Sequence, residues 1–364
     1  MDTQTLFLVS SASVLGGAEL LLQKLGAFLA SQGRTVVWQV RQPELFQNLP
    51  GEIEKLEALK RYDLNAMAKL RRRYRSASPA AILFNMAVPT DLQPAIMVSA
   101  AAGLSRVCLH HSPFHINTSP LQIKLARWEL ETIPHHVTVG EVGRQELNQN
   151  YRVPMEHIAH WYPGIDLLRF QADGENYRHR SELQRGPIIG HVGRLGESKG
   201  QWALIRATSI LAAGYPDLKL VLVGDGPDLE KLKRLAVQEK VENRVWFAPF
   251  TKDIDQWYRT FDVFCLPSKN ESVPLSVLEA MACGVPVICS AVGNLKYMLE
   301  GTEAVFTAGD PAALAGDVEH VLRNRDLMQS MKVKMRRRVE TEFNQDRQLD
   351  LFAKLLEQLM VKHN

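Results

Sequence analysis

Short apolar runs recur along this chain, separated by longer stretches in which apolar and polar positions alternate with helical spacing. Residues 6–9, 35–40, 80–84, 106–109 and 136–139 are the apolar runs of the first half, and their length and β-branched content predict strands. Between them, residues 18–31, 64–76, 92–101, 121–132 and 142–150 carry apolar side chains three or four positions apart, which predicts amphipathic helices. Alternation of this kind predicts a parallel sheet with helices on both faces. A polar stretch at 173–185 interrupts it. The pattern then restarts, with strands expected at 188–192, 218–223, 245–247, 263–266, 287–289 and 304–306, and helices between them. Two further helices, at 327–342 and 346–361, close the chain, with Phe343-Asn344 as a kink between them. The expected organisation is a domain at 1–172, a linker at 173–185, a second domain at 186–343 and a terminal helical segment at 344–364. The halves share a pattern but no sequence repeat.

Composition narrows the classes. The 364 residues suffice for two domains, and 46% hydrophobic content supports real cores. A net charge of +3 is too small to argue for nucleic acid. No apolar run reaches the length of a membrane span, and Met1-Asp2-Thr3-Gln4 lacks a basic leader region, so a cytoplasmic location is expected. Cys108, Cys265, Cys283 and Cys289 lie in or beside apolar segments without ligand-pair spacing, which predicts buried, reduced thiols.

The segment 267–286 carries the most chemistry. Glu271 sits in a polar loop after the strand at 263–266, and Glu279 sits eight positions later among Leu, Ala and Met. A carboxylate in such surroundings needs a polar partner. The loop also meets a helix N-terminus, where backbone N–H groups are free and the dipole is positive. The segment thus offers an anion pocket flanked by two carboxylates able to grip hydroxyls. The plainer reading is a capped core helix with Glu271 in solvent. Upstream, the strand at 188–192 runs into Gly193-Arg194-Leu195-Gly196-Glu197-Ser198-Lys199-Gly200. Gly193 permits close backbone approach. Arg194 and Lys199 fall at the carboxyl end of the strand, the ligand edge of a parallel sheet, and both suit phosphate.

Five segments together resemble the retaining glycosyltransferases of family four, which have the GT-B fold. They are Gly16-Gly17-Ala18-Glu19; Tyr162-Pro163-Gly164-Ile165-Asp166 with Phe170; Val192-Gly193-Arg194 with Lys199-Gly200; Val221-Leu222-Val223-Gly224-Asp225-Gly226-Pro227; and Pro267-Ser268 through Pro286. The resemblance covers nearly the whole chain and is strongest from Pro187 to Pro286. The chain departs from the family at Pro163, where Asn is commoner, and at Ser272-Val273-Pro274, where an aromatic residue and Gly are common; Pro also occurs at that site in the family.

The resemblance implies an α/β protein of two Rossmann-like parallel-sheet domains facing across a cleft, the first binding the acceptor and the second the nucleotide sugar. It also implies that the C-terminal helix crosses back to the first domain. The implied reaction moves a sugar from a nucleoside diphosphate sugar to a hydroxyl of a glycan, lipopolysaccharide or lipid-linked acceptor, with retention by front-face attack and no protein nucleophile. Arg194 and Lys199 would hold and stabilise the leaving diphosphate, Glu279 the ribose hydroxyls, and Glu271 with Val273, Pro274 and Leu275 the sugar or a phosphate. Gly16, Gly17, Gly193 and Gly226 would line the donor with backbone. His111 would touch the sugar near the reacting carbon; His110 is the alternative, because a shift of one residue changes the face. A nucleotide-sugar epimerase and a non-catalytic nucleotide-sugar-binding subunit are the alternative functions.

No metal or other cofactor is expected. His110, His111 and His115 make a poor metal site, because Pro113 breaks helical pairing and no carboxylate is near in sequence. Asp253-Ile254-Asp255 is read as a helix cap rather than a metal motif. The stretch opening on Lys55 and closing on Arg75 holds eight Lys or Arg against two acids. It is either a solvated helix face or a surface for anionic lipid head groups.

Overall fold

The computed structural model describes residues 5–13, 16–56, 63–86, 92–111, 120–307 and 310–361. The chain divides into two compact units, residues 1–163 with 348–364 and residues 164–347. The first contains β1 (Thr5–Ser10), α1 (Gly17–Ser31), β2 (Thr35–Val40), β3 (Glu52–Lys55), α2 (Leu64–Ala77), β4 (Ala81–Met86), α3 (Gln93–Ala101), β5 (Arg106–His110), α4 (Pro120–Glu131), β6 (His135–Val139), α5 (Glu141–Tyr151) and β7 (Ile158–Trp161). Its strands form a parallel sheet in the order β3-β2-β1-β4-β5-β6-β7.

The second unit contains β8 (Ile188–Val192), α6 (Gln201–Leu211), β9 (Lys219–Val223), α7 (Leu229–Gln238), β10 (Val245–Ala248), α8 (Ile254–Tyr258), β11 (Val263–Leu266), α9 (Leu275–Ala282), β12 (Val287–Ser290), α10 (Leu295–Met298), β13 (Val305–Thr307), α11 (Pro311–Arg323) and α12 (Arg325–Glu342). Its parallel sheet runs β10-β9-β8-β11-β12-β13. In both units the strand order reverses after the first strand, the doubly wound Rossmann-like order in which ligands bind at the reversal. The central strands β1, β4, β8 and β11 are apolar nearly throughout because both faces are covered.

Three expectations are corrected. The boundary expected at 172 falls at 163. Ile165 N–H donates to the Phe343 carbonyl at 2.7 Å, Gln345 N–H donates to the Ile165 carbonyl at 3.1 Å, and Arg336 donates to the Phe170 carbonyl at 2.9 Å, so residues 164–172 are tied into the second unit. The supposed linker at 173–185 is strapped to that unit as well. Tyr177 N–H donates to Thr260 Oγ1 at 2.9 Å, Arg178 pairs with Asp262, and the Arg180 guanidinium lies over the Tyr177 and Trp257 rings. The last helix, α13 (Gln345–Val361), joins the first unit from Gln348 onward. There Trp161 Nε1 donates to the Gln348 carbonyl at 2.8 Å and the Trp161 ring packs on Phe352. The third correction concerns β3 and β7, which the apolar pattern does not predict. Both are edge strands of four residues, Glu-Ile-Glu-Lys and Ile-Ala-His-Trp, and edges carry charge where central strands cannot.

Gly26 shows tertiary packing overriding local preference. It lies inside α1, where alanine is favoured by about 1 kcal/mol. A Cβ there would come within 2.1 Å of the Trp38 ring and 2.6 Å of Leu8. Trp38 is fully buried and fixed by its Nε1 bond to the Pro50 carbonyl at 2.8 Å, so it cannot yield. Gly26→Ala is therefore expected to destabilise by about 1–3 kcal/mol through overpacking. Urea unfolding of the two proteins checks this; a gain in stability would show that propensity outweighs the contact.

Candidate functional site

The loops after β8 and β11 flank the strand reversal of the second sheet, and a partly buried ion pair joins them. Lys199 Nζ lies 2.7 Å from Glu271 Oε1, and Ser268 Oγ donates to the same oxygen at 2.7 Å. The Glu271 side chain is 7% exposed and that of Lys199 29%. Glu271 is thus not the solvated loop residue of the plainer reading. Its carboxylate is buried and met by a cation and a hydroxyl, as burial requires. Lys269 N–H donates to the Ser198 carbonyl at 2.8 Å, a backbone tie between the same loops. Behind Glu271, Gly293 has φ +55°, and a Cβ there would stand 1.8 Å from the Glu271 carbonyl oxygen, so this position requires glycine. The next residue, Asn294, donates from its side chain to the Ser272 carbonyl at 3.1 Å.

A second network braces the β8 loop from below. His191 is fully buried, and its Nδ1 lies 2.9 Å from the Cys265 carbonyl. That carbonyl only accepts, so Nδ1 carries the proton and Nε2 is the acceptor. Gln201, also buried, meets Nε2 at 3.0 Å with its amide nitrogen and uses the same nitrogen to donate to the Arg194 carbonyl at 2.9 Å. Burial, with Lys199 nearby, pushes the His191 imidazole down to about 4 and keeps it neutral. The Arg194 side chain is exposed. Gly226 seats the β9 loop against this one, since a Cβ there would lie 2.1 Å from the Leu195 carbonyl oxygen.

Glu279 lies one turn into α9 and is partly buried; the Tyr258 hydroxyl donates to its Oε2 at 2.6 Å. The helix begins after Pro274 with no side chain capping its first N–H groups, which leaves a positive helix end beside Val273, Pro274 and Leu275. Arg194, Lys199, Gly193, Gly226, Glu271, Glu279 and residues 273–275 are all therefore in or next to loops at one edge of the second sheet.

The remaining expected residues belong to the first unit. Gly16 and Gly17 open α1 after β1. The Gly16 N–H donates to the Glu19 carboxylate at 3.0 Å, so this donor is committed within the helix end rather than open to a phosphate. His110 is fully buried, with Nε2 3.0 Å from His136 Nδ1, while His136 Nε2 meets the Leu130 carbonyl at 3.1 Å. His111 is partly buried and its Nε2 meets Asn85 Oδ1 at 2.5 Å. His110 is thus turned into the core, and His111 stands at the sheet edge. Residue 115 and the rest of that loop lie outside the described residues. Among the described residues, no group of three or more His, Cys, Asp or Glu is placed to hold a metal ion. The cap expected at Asp253 or Asp255 is corrected: Asp253 makes no capping bond, and Asp255 pairs with Arg259 one turn on. All four cysteines are buried and unbridged.

Sequence reasoning missed His136, His191, Gln201, Tyr258 and Asn294. Only His136 and His191 left a signal, each as a polar residue inside an apolar strand.

Residues 173–338 match the model of the family Glycosyl transferases group 1. An uncharacterized glycosyltransferase of Haemophilus influenzae is 36% identical over 151 residues, 41% of this chain and 40% of that protein. A D-inositol 3-phosphate glycosyltransferase of Corynebacterium kroppenstedtii is 30% identical over 202 residues, 51% of this chain and 45% of that protein. These matches span about half, or less, of the curated relatives' length. Among solved structures, Anabaena Alr3699/HepE in complex with UDP and glucose is similar with a TM-score of 0.86 at 20% identity, covering 98% of this chain and 100% of that one. That likeness shows the fold, two Rossmann-like parallel-sheet domains of the GT-B class.

Burial pushes the His111 and His136 imidazoles to about 4, and burial with the neighbouring His136 takes His110 well below its ordinary value. The folded state therefore binds fewer protons than the unfolded state between about pH 6.5 and 4, and stability falls as pH falls through that window. His136 and His191 should each cost on the order of 2 kcal/mol by pH 5. Urea midpoints measured from pH 7 to pH 5 check this, above the range where ordinary carboxylates titrate. A flat profile would mean that these imidazoles accept protons in the folded protein.

Proposed function

We propose that this chain transfers a glycosyl group from a nucleoside diphosphate sugar to a hydroxyl of a glycan or lipid-linked acceptor, with retention at the anomeric carbon. The observation that carries this reading is the Lys199–Glu271 pair joining two loops at the strand reversal, with Arg194 exposed on the same loop as Lys199. Arg194 and Lys199 supply two cations for a leaving diphosphate, and the uncapped start of α9 supplies backbone donors. Glu279 takes the ribose hydroxyls. Glu271 holds Lys199 and presents its carboxylate to the sugar. The names of the relatives favour transferase chemistry over epimerisation or mere binding: all those described here are glycosyltransferases except Alr3699/HepE, which is named with UDP and glucose.

The charge stabilisation in this reading comes from the protein, so catalysis proceeds without a divalent ion. Arg194→Ala is expected to leave stability unchanged and lower turnover about 100-fold. Lys199→Ala should lower turnover comparably and also cost about 1–3 kcal/mol of stability, because it strands the buried Glu271 carboxylate. Donor turnover in the presence of a chelator, with urea unfolding of each variant, tests both points. Near-parental rates in both variants, or activity that vanishes in chelator and returns with magnesium or manganese, would overturn the assignment.

The acceptor side is proposed to work at the cytoplasmic face of a membrane. No helix among the described residues is long and apolar enough to cross one. Lys69, Arg71, Arg72 and Arg75 are exposed on α2, and Leu64 at its start is 75% exposed, whereas Arg73 is turned to Glu52 and Glu54. Each exposed cation contributes about 1 kcal/mol near an anionic surface. Sedimentation with phosphatidylglycerol vesicles should exceed that with phosphatidylcholine vesicles. Changing the four basic residues to Gln should reduce it at least about 10-fold. Equal binding to both vesicle types, or to neither, would remove this surface from the account.

A further inference from the structure

Tyr258 is the last residue of α8 and is fully buried. Its ring packs edge-on against Phe170 and Phe261 and at a tilt against Phe264, with centroids 6.2, 6.0 and 5.7 Å away. A buried phenol needs a partner for its hydroxyl, and here the partner is Glu279 Oε2 at 2.6 Å. Burial first, and then the Glu279 charge, raise the phenol well above its ordinary value, so the hydroxyl keeps its proton and donates. A short bond of this kind to a carboxylate is charge-assisted. It is anchored by an aromatic cluster, and a carboxylate held in one rotamer spares a ligand the entropic cost of ordering it.

We propose that Tyr258 is a positioning residue for the nucleotide site, its buried hydroxyl holding the Glu279 carboxylate in the rotamer that meets the ribose 2′ and 3′ hydroxyls. This rests on the reading of Glu279 as the ribose ligand. It goes further in naming a residue that touches no substrate and acts only through Glu279. The consequence is specific: removing the hydroxyl should weaken ligands in proportion to what Glu279 contributes to them. A structural role alone would affect every ligand alike.

The test is calorimetry with UDP or GDP, whichever gives the larger thermal shift, and with the 2′,3′-dideoxy form of the same nucleotide. Tyr258→Phe retains the ring and its packing. It is expected to weaken the ribonucleotide roughly 5- to 20-fold and to leave the dideoxynucleotide within about twofold. On a Glu279→Ala background the same change should have no further effect on the ribonucleotide. Equal losses for both nucleotides, no loss for either, or additive losses on the Glu279→Ala background would overturn the positioning role. Glu279→Ala itself separates the two levels of the argument. If it weakens both nucleotides equally, the ribose assignment fails and the inference with it. If it discriminates and Tyr258→Phe does not, only the inference fails.

Discussion

Glu271 is a carboxylate that the fold leaves only 7% exposed, and Lys199, 72 residues earlier, approaches one of its oxygens to 2.7 Å. A buried charge left alone would be far costlier than anything the loop gains by ordering. The β8 and β11 loops are therefore bound to each other by an obligation as well as by contact. Much of the surrounding geometry serves that pair. Ser268 shares the same carboxylate oxygen, Gly293 lets the β12 loop pass directly behind the Glu271 carbonyl, and the Lys269 to Ser198 backbone bond runs alongside. The arrangement sits at the strand reversal, where two neighbouring loops leave a parallel sheet in opposite directions and a crevice opens between them.

The fold was largely legible because its central strands are covered on both faces and its helices on one. Continuous apolar runs such as 188–192 and 263–266 have no other stable place in a chain of this composition. What escaped lies where that constraint relaxes. Edge strands β3 and β7 have one open side, so Glu52, Glu54 and Lys55 are tolerated in one and His160 in the other. The stretch 173–185 looked like a linker because its composition is polar. Arg178 and Arg180 spend that polarity on Asp262 and on the Tyr177 and Trp257 rings, contacts among residues too distant in sequence for local pattern to reveal.

The site divides in the same way. The residues proposed to meet a ligand, Arg194, Lys199, Glu271 and Glu279, stood out because charge at the carboxyl end of an apolar strand or within an apolar helix is conspicuous. Residues that support them did not. Gln201 follows a glycine at a helix start and looks like any polar first-turn residue, yet its side chain joins His191 to the Arg194 carbonyl. Tyr258 looks like one more aromatic residue in an amphipathic turn. At Gly16 the sequence suggested an open donor, but Glu19 three residues later accepts from it, a pairing that the spacing would have allowed one to foresee. His110 and His111 adjoin in sequence and have different partners, because His110 ends β5 and meets His136 while His111 lies just past the strand and meets Asn85.

The central claim is that Lys199 and Glu271 act as a unit, and a double-mutant cycle measures it directly. Urea unfolding of the parent, Lys199→Met, Glu271→Gln and the double variant yields the coupling free energy. The account predicts a coupling above about 1.5 kcal/mol, with the double variant more stable than the sum of the single losses implies. Single effects that add within about 0.5 kcal/mol would show that the two side chains are neighbours without obligation, and the joining of the two loops would need another cause.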